Sequence, residues 1–427
     1  MELRQYQQDC LGKILWELNT DLQGNSICVL PTGSGKSVVI ANLAKTLSQP
    51  ILILQPSKEI LEQNLEKLCR YVDHTDVGVY SASMNEKTIN HFTFATIGSI
   101  YTKPELFAHF GLILIDECHL VNPKNLDGMF TSFLSEVNRI RGQINKSPVK
   151  CFGFTATPYR MATGYISLGK NYDGSPILKA TATTKIVSRL KEKFWQRILV
   201  NVSISDLIEK GFLCPLEYVD LSLVEHSEIP VNKSESDFDL IKYEKLLSSK
   251  KGRIKQALEY AEANSKSVLV FCSSVPQAIE LSEQVLGSAV VTAKTPAKER
   301  ATIINDFKNG KLQTVFNVGV LTTGFDHPSL DCIVLLRPTR SIGLYYQMLG
   351  RGVRIAPGKT KCKVIDLTST VKNLGRIESI KLAKVVNPKS GWSMWEILSE
   401  TGSWHNRPLY SYVIGDKEGQ FKQTFRT

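Results

Sequence analysis

Residues 31–37 read Pro-Thr-Gly-Ser-Gly-Lys-Ser, directly after the β-branched run SICVL and at the start of a helical pattern. A strand, a glycine-rich turn and a helix N-terminus, in that order, are what a phosphate-binding loop requires. Glycines let backbone N–H groups turn toward phosphate, Lys36 would hold the β- and γ-phosphates, and the Ser37 hydroxyl would ligate Mg2+. The strict pattern asks for Gly at position 30, where this chain has Leu30; taken alone, a tight strand-to-helix turn is the alternative. Further along, GLILIDECHL places Asp116 and Glu117 at the C-terminal end of an apolar strand, where open α/β sheets form their ligand crevice. Asp116 would hold Mg2+ through water and Glu117 would polarise an attacking water; a solvated strand end is the alternative for an isolated acid pair. Later still, YYQMLGRGVR predicts a helix with Gln347, Arg351 and Arg354 on one face at i, i+4 and i+7. Two fork-shaped guanidiniums suit developing phosphate charge, whereas arginines on an ordinary amphipathic surface helix are the plainer reading.

These residues need elements to hold them. From about residue 26 to residue 157, SICVL, ILIL, FTFAT, GLILID and VKCFGFT alternate with helical patterns such as 38–47 and 58–71. Continuous apolar strands are covered on both faces, which predicts a parallel α/β sheet. The rhythm restarts near Ser267 with SVLVF, then AVV, TVFNV, CIVLL and CKVIDL, with helices from Val275, Ala297 and Ser341. Two α/β lobes are therefore expected, joined by a looser stretch over 160–250. After Leu367 a region rich in Trp and Lys lacks the rhythm, and no short-period repeat is present.

The 427 residues are 42% hydrophobic and 22% charged, which excludes disordered, collagenous and coiled-coil classes. A net charge of +11 favours a polyanionic partner without choosing DNA or RNA. Nine scattered cysteines with no C-x-x-C pair predict a reducing compartment and no structural zinc. No uncharged apolar run approaches the roughly 18 residues a bilayer needs, and the N-terminus has no leader pattern. A soluble, cytoplasmic protein without a membrane partner is expected.

Taken in order, the segments resemble a superfamily 2 helicase of the DExH type over about residues 1 to 370. LRQYQ resembles the Q-motif, implying that Gln7 with Arg4 reads adenine; a helix-capping polar patch is the alternative. PTGSGKS matches motif I, implying that Thr32, Gly33, Ser34, Gly35, Lys36 and Ser37 cradle ATP. QPSKEI and TFATIGS resemble motifs Ia and Ib, implying that Ser57 and Thr96 touch nucleic-acid phosphate, although both could be simple strand-to-helix turns. DECH is motif II, and TAT at 155–157 matches motif III, implying that Thr155 and Thr157 bridge to His119 and link ATP state to lobe closure. VFC stands where motif IV lies. TTGFDHPSLD is like motif V, implying that Thr323 meets phosphate while Gly324 and Asp326 sit near the nucleotide, and QMLGRGVR completes motif VI. The resemblance implies two RecA-like lobes with an ATP cleft between them: residues 1–200 with a basic insertion at about 160–197, then 201–370, then a C-terminal extension, 371–427.

Within the superfamily, GFTATPYRMATGYISLGK and VNVSISDLIEKGFLCPLEYV look like RadD (YejH-like) helicases and their phage-encoded relatives. RadD-type proteins carry a cysteine-rich zinc element after the second lobe, and this chain has none, which suggests a compact phage-type member similar to DNA branch-migration helicases. The implied activity is ATP-dependent DNA unwinding or translocation on branched DNA by a monomer, with ATP and Mg2+ as cofactors. The implied partners are branched or single-stranded DNA, bound without sequence preference, and a single-strand-binding protein. An RNA helicase and a double-strand translocase motor of a larger complex are the alternatives. The insertion, with Arg189, Lys193 and Arg197 near Phe194 and Trp195, would contact phosphates, or form a solvated face with an aromatic docked on the first lobe. Trp392, Trp395 and Trp404 could stack bases, but the spacing of the first two favours packing in a helical core.

Overall fold

In the computed structural model, residues 2–20, 22, 24–121, 128–170, 176–186, 194–233, 236–322, 324–386, 393–401 and 405–413 are described, with side chains except at 159–186 and 383–413. The chain divides into two compact units, Met1–Tyr159 with Ile186–Val202, and Arg160–Lys185 with Ser203–Thr427.

Seven strands precede the connection: β1 (Asn25–Val29), β2 (Ile51–Gln55), β3 (Val77–Ser81), β4 (Glu86–Lys87), β5 (Phe92–Thr96), β6 (Leu112–Asp116) and β7 (Lys150–Thr155). After them β8 (Tyr159–Lys170) and β9 (Pro176–Ile186) form a two-stranded sheet, and β10 (Trp195–Asn201) returns to the first. The order is β10-β1-β7-β6-β2-β5-β3-β4, parallel throughout except for the short β4. Every residue of β2 and of β6 is buried, as expected for strands covered on both faces. Helices Gln5–Leu18, Lys36–Thr46 and Lys58–Leu68 contribute Ile14, Val39, Leu43 and Leu61 to the core over Ile51, Leu112 and Phe152.

A buried ion cluster pins the first helix to this sheet. Glu17 receives Lys150 Nζ at 2.7 Å, Arg197 Nη1 at 2.6 Å and Ser26 Oγ at 2.6 Å. Arg197, grouped from sequence with a polynucleotide-binding stripe, is thus engaged on β10, and Trp195 beside it is fully buried. At these two positions the docked alternative is the one observed, because an inward strand position returning to the sheet buries its aromatic.

The second unit repeats the design with β11 (Leu216–Asp220), β12 (Val268–Phe271), β13 (Ser288–Val291), β14 (Thr314–Asn317), β15 (Cys332–Leu335) and β16 (Cys362–Asp366). All are parallel, in the order β11-β16-β15-β12-β14-β13. Beyond them β17 (Lys381–Val386), β18 (Ser393–Thr401) and β19 (His405–Val413) form an antiparallel sheet. The helical spacing expected for Trp392 and Trp395 is corrected here: Trp395 lies in β18, in register with Lys384 and Tyr412. A strand has period two, so the helical period does not apply at Trp395. Trp392 and Trp404 lie outside the described residues. No described helix is long and apolar enough to cross a membrane.

Candidate active site

The chemistry gathers at the C-terminal ends of β1, β6 and β7. Leu30 continues the β1 ladder, its N–H donating to Thr155 O at 2.9 Å and its side chain buried, so the position that the strict loop pattern gives to glycine here serves the core. The turn follows two residues later, where Gly33 and Gly35 take φ of 79° and 83°. Gly35 brings no capping side chain to helix Lys36–Thr46, leaving first-turn N–H groups to a ligand. Lys36 Nζ donates to Leu30 O at 3.3 Å, while Thr32 and Ser34 are buried. Gln7 is fixed against this loop: Nε2 donates to Ser34 O at 2.8 Å, and Oε1 accepts the Arg4 N–H at 3.0 Å. The positive φ of Gly35 favours glycine, and a Cβ there would lie 2.5 Å from Gln7 Nε2, displacing that side chain.

Asp116 ends β6 almost fully buried, and Glu117 follows in the left-handed region at φ 47°, ψ 48°. Such a backbone costs a non-glycine residue of order 1 kcal/mol or more, and it occurs here at the carboxylate expected to act on water. Asp116 Oδ1 accepts the Glu117 N–H at 3.0 Å and Oδ2 accepts Asn64 Nδ2 at 3.0 Å. Burial first, then the Glu117 charge, push the Asp116 carboxyl up to about 6, with Lys36 pulling the other way. Glu117 Oε2 lies 3.3 Å from His119 Nδ1, and that nitrogen lies 2.9 Å from Thr155 Oγ1 and 3.5 Å from Thr157 Oγ1. Motif II and motif III side chains thus form one contiguous polar cluster.

One residue of this site went unnoticed in the sequence. Asn64, on helix Lys58–Leu68, accepts from Ser37 Oγ and donates to Asp116 and to Gln55. The available signal was a polar residue on the stripe Ile60, Leu61, Leu68 of an amphipathic helix. Ser37 and Asp116 fit Mg2+. A buried carboxyl held above its usual range gains most from a cation, and a hydroxyl whose proton is already placed on Asn64 keeps its lone pairs for one. Among the described residues no group of three or more His, Cys, Asp or Glu side chains gathers, and Mg2+ sites commonly use one or two carboxylates with substrate phosphates and water instead.

In the second unit the predicted helix stops early. It spans Ile342–Leu349, so Gln347 is helical while Arg351 and Arg354 leave from the turn after Gly350, not from a common helix face. Gly352 sets that turn against the sheet, where a Cβ would meet Cys362 Sγ at 2.6 Å. Arg351 Nη1 donates to Phe325 O at 2.6 Å, and Arg354 donates to the same carbonyl at 3.2 Å while pairing with Asp326. Burial lowers the Arg354 pKa, and Asp326 opposes it. Gly324 stands at φ 69°, and Lys359 Nζ donates to Gly352 O and Arg354 O at 2.7 and 2.8 Å. No motif pointed to Lys359, which ties the arginine turn from outside it.

Two of the expected nucleic-acid contacts have local partners. Ser57 caps its helix, accepting the Ile60 N–H at 3.4 Å, and Thr96 Oγ1 lies 2.9 Å from Ser99 Oγ. Thr323, Arg189 and Lys193 lie outside the described residues.

Residues 1–160 match the family described as type III restriction enzyme, res subunit, and residues 249–356 match the helicase conserved C-terminal domain. IRC3 of Saccharomyces cerevisiae, provisionally named an ATP-dependent helicase, is 26% identical over 85% of this chain and 51% of its own length. A 51.5 kDa protein of a Lactococcus phage is 27% identical, covering 77% of this chain and 63% of that protein. DNA 3′-5′ translocase XPB2 of Sulfurisphaera tokodaii is 25% identical over 83% of this chain and 79% of that protein. The chain thus spans about half the length of the first of these relatives. The fold is shared with the DNA-bound type ISP restriction-modification enzyme LlaBIII, at TM-score 0.58 and 18% identity over 86% of this chain and 28% of that one. It is also shared with RNA-bound Dbp5 of S. cerevisiae, at TM-score 0.54 and 14% identity over 86% of this chain and 84% of that one.

Proposed function

We propose that this chain, a superfamily 2 helicase by its two matched domains, hydrolyses ATP to drive unwinding or translocation on branched DNA such as forks and four-way junctions. The observation that carries the ATPase reading is the cluster at the strand ends of the first unit: a phosphate loop, a buried Asp116 and a strained Glu117 joined to His119 and Thr155. Mg2+ held by Ser37 and Asp116 would neutralise phosphate charge. Lys36 and the N–H groups after Gly35 bind the β- and γ-phosphates, and Gln7 braces the loop that presents them. Glu117 takes up the proton of the attacking water, and its contact with His119 passes the state of the γ-phosphate to Thr155 and Thr157. Arg351 and Arg354 supply fixed positive charge to the transferred phosphoryl group, with Gln347 as the third polar member of that motif.

DNA rather than RNA is supported by the relative named as a DNA translocase, and a phage-type assignment by the Lactococcus phage relative. The deciding experiment is ATP hydrolysis by the purified chain with single-stranded DNA, duplex, fork, four-way junction and single-stranded RNA at fixed salt. Greatest stimulation by fork or four-way DNA is expected. Stimulation by RNA alone would overturn the substrate and leave the ATP chemistry standing.

A further inference from the structure

Ser37 and Asp116 belong to separate elements, the first turn of helix Lys36–Thr46 and the end of β6, with β7 between β1 and β6 in the sheet. What joins them is Asn64. Its Oδ1 accepts from Ser37 Oγ, and its Nδ2 donates to Asp116 Oδ2 at 3.0 Å and to Gln55 Oε1 at 3.1 Å. Both amide hydrogens are thereby used, and the Asp116 carboxylate is oriented by two donors, Asn64 Nδ2 and the Glu117 N–H. Gln55 is 1% exposed at the end of β2, and its buried Nε2 has no hydrogen-bond partner among the described residues. A leucine would serve the core better at that position, so the orphaned donor marks a glutamine kept for its carbonyl or for a ligand nearby.

We infer that Asn64, seated by Gln55, is a positioning residue that holds Ser37 and Asp116 at the spacing a Mg2+–nucleotide complex needs. The inference rests on the ATPase reading above. By accepting the Ser37 hydroxyl hydrogen bond, Asn64 leaves the hydroxyl lone pairs for a cation; by donating to one carboxylate oxygen it fixes the plane of the other ligand. Asn64 itself touches neither water nor phosphate in this scheme.

The test uses Mn2+, a paramagnetic substitute for Mg2+, titrated into the full chain with a non-hydrolysable ATP analogue, free Mn2+ being followed by electron paramagnetic resonance. Asn64→Ala is expected to weaken Mn2+ retention about tenfold or more, in the range that outer partners of metal ligands command. Gln55→Leu is expected to weaken it in the same direction by less. Binding of the analogue alone, in EDTA, is expected to stay unchanged in both. Mn2+ retention by Asn64→Ala equal to that of the unchanged protein would overturn the inference, as would an equal loss of metal-free analogue binding, which would make Asn64 a support of the loop only. Should Asn64→Ala fail to fold, Gln55→Leu decides alone, and unaltered Mn2+ retention overturns the inference. An unchanged protein that held neither Mn2+ nor the analogue would sink the ATPase reading itself, so the two failures are separable.

Discussion

In the first unit the polar side chains at the strand ends are two carboxylates, hydroxyls, a histidine and one lysine, and the most buried of the acids is pushed up to about 6. In the second unit the matching polar cluster is built from arginines already satisfied by the Phe325 carbonyl and by Asp326. The two sheets are built alike, yet the groups they present differ in kind. A buried carboxyl short of positive charge can take a proton and wait for a cation. A guanidinium cannot shed its charge, so it must be paired whenever it is buried. The difference explains why the acid side is strained and titratable while the arginine side is tied down through Lys359 and backbone carbonyls.

Removing an arginine of the second-unit cluster should produce the largest effect. Arg354→Ala is expected to lower kcat about 10³-fold or more with little change in ATP affinity, because a finger acts on transition-state charge. Steady-state phosphate release and nucleotide binding read the two separately; a fall in affinity alone would reduce Arg354 to a binding contact. On the other side, Glu117→Gln is expected to cost about 10²–10⁴ in kcat and to keep ATP binding. Normal turnover there would remove Glu117 as the base. His119→Ala should leave basal hydrolysis largely intact and cut polynucleotide stimulation roughly 5- to 100-fold, the size of an ordinary coupling energy. Equal loss with and without polynucleotide would place His119 in hydrolysis rather than in coupling.

The smallest expected effect is on stability, and there the two units differ in sign. Burial lowers His327, in the second unit, to about 4, so stability present above the unfolded value near 6.5 is lost as pH falls toward 4. Asp116 runs the other way in metal-free protein: its raised pKa gives stability that is full below about 3.8 and lost as pH rises through about 6. Hydrogen exchange in EDTA between pH 7 and 4 should show the second unit weakening by about 1–3 kcal/mol and His327→Gln reducing that loss. An unchanged acid response in His327→Gln would assign the loss to another group.

Much of this was legible because parallel strands advertise themselves as continuous apolar runs, and because motifs I, II and III sit at their ends. The reading went wrong where a local period was trusted against glycine. The helix stops at Leu349, and Gly352 lets the following turn approach Cys362, so Arg351 and Arg354 come from a turn. In the tail, Trp392 and Trp395 suggested a helix and Trp395 proved to be in a strand. Asn64 was invisible as chemistry because its partners, Ser37, Gln55 and Asp116, come from three other elements, 9 to 52 positions away.

The amino-acid sequence by itself determined the two parallel-sheet units, the phosphate loop and the order of the acidic and cationic motifs, since these depend on local propensity, hydrophobic period and short spacings. Only the tertiary structure decided what each charge leans on: Asp116 on Asn64, Arg354 on Asp326, Arg197 on Glu17. Those pairings depend on desolvation and on strand order, which bring together residues up to 180 positions apart, and no local pattern encodes them.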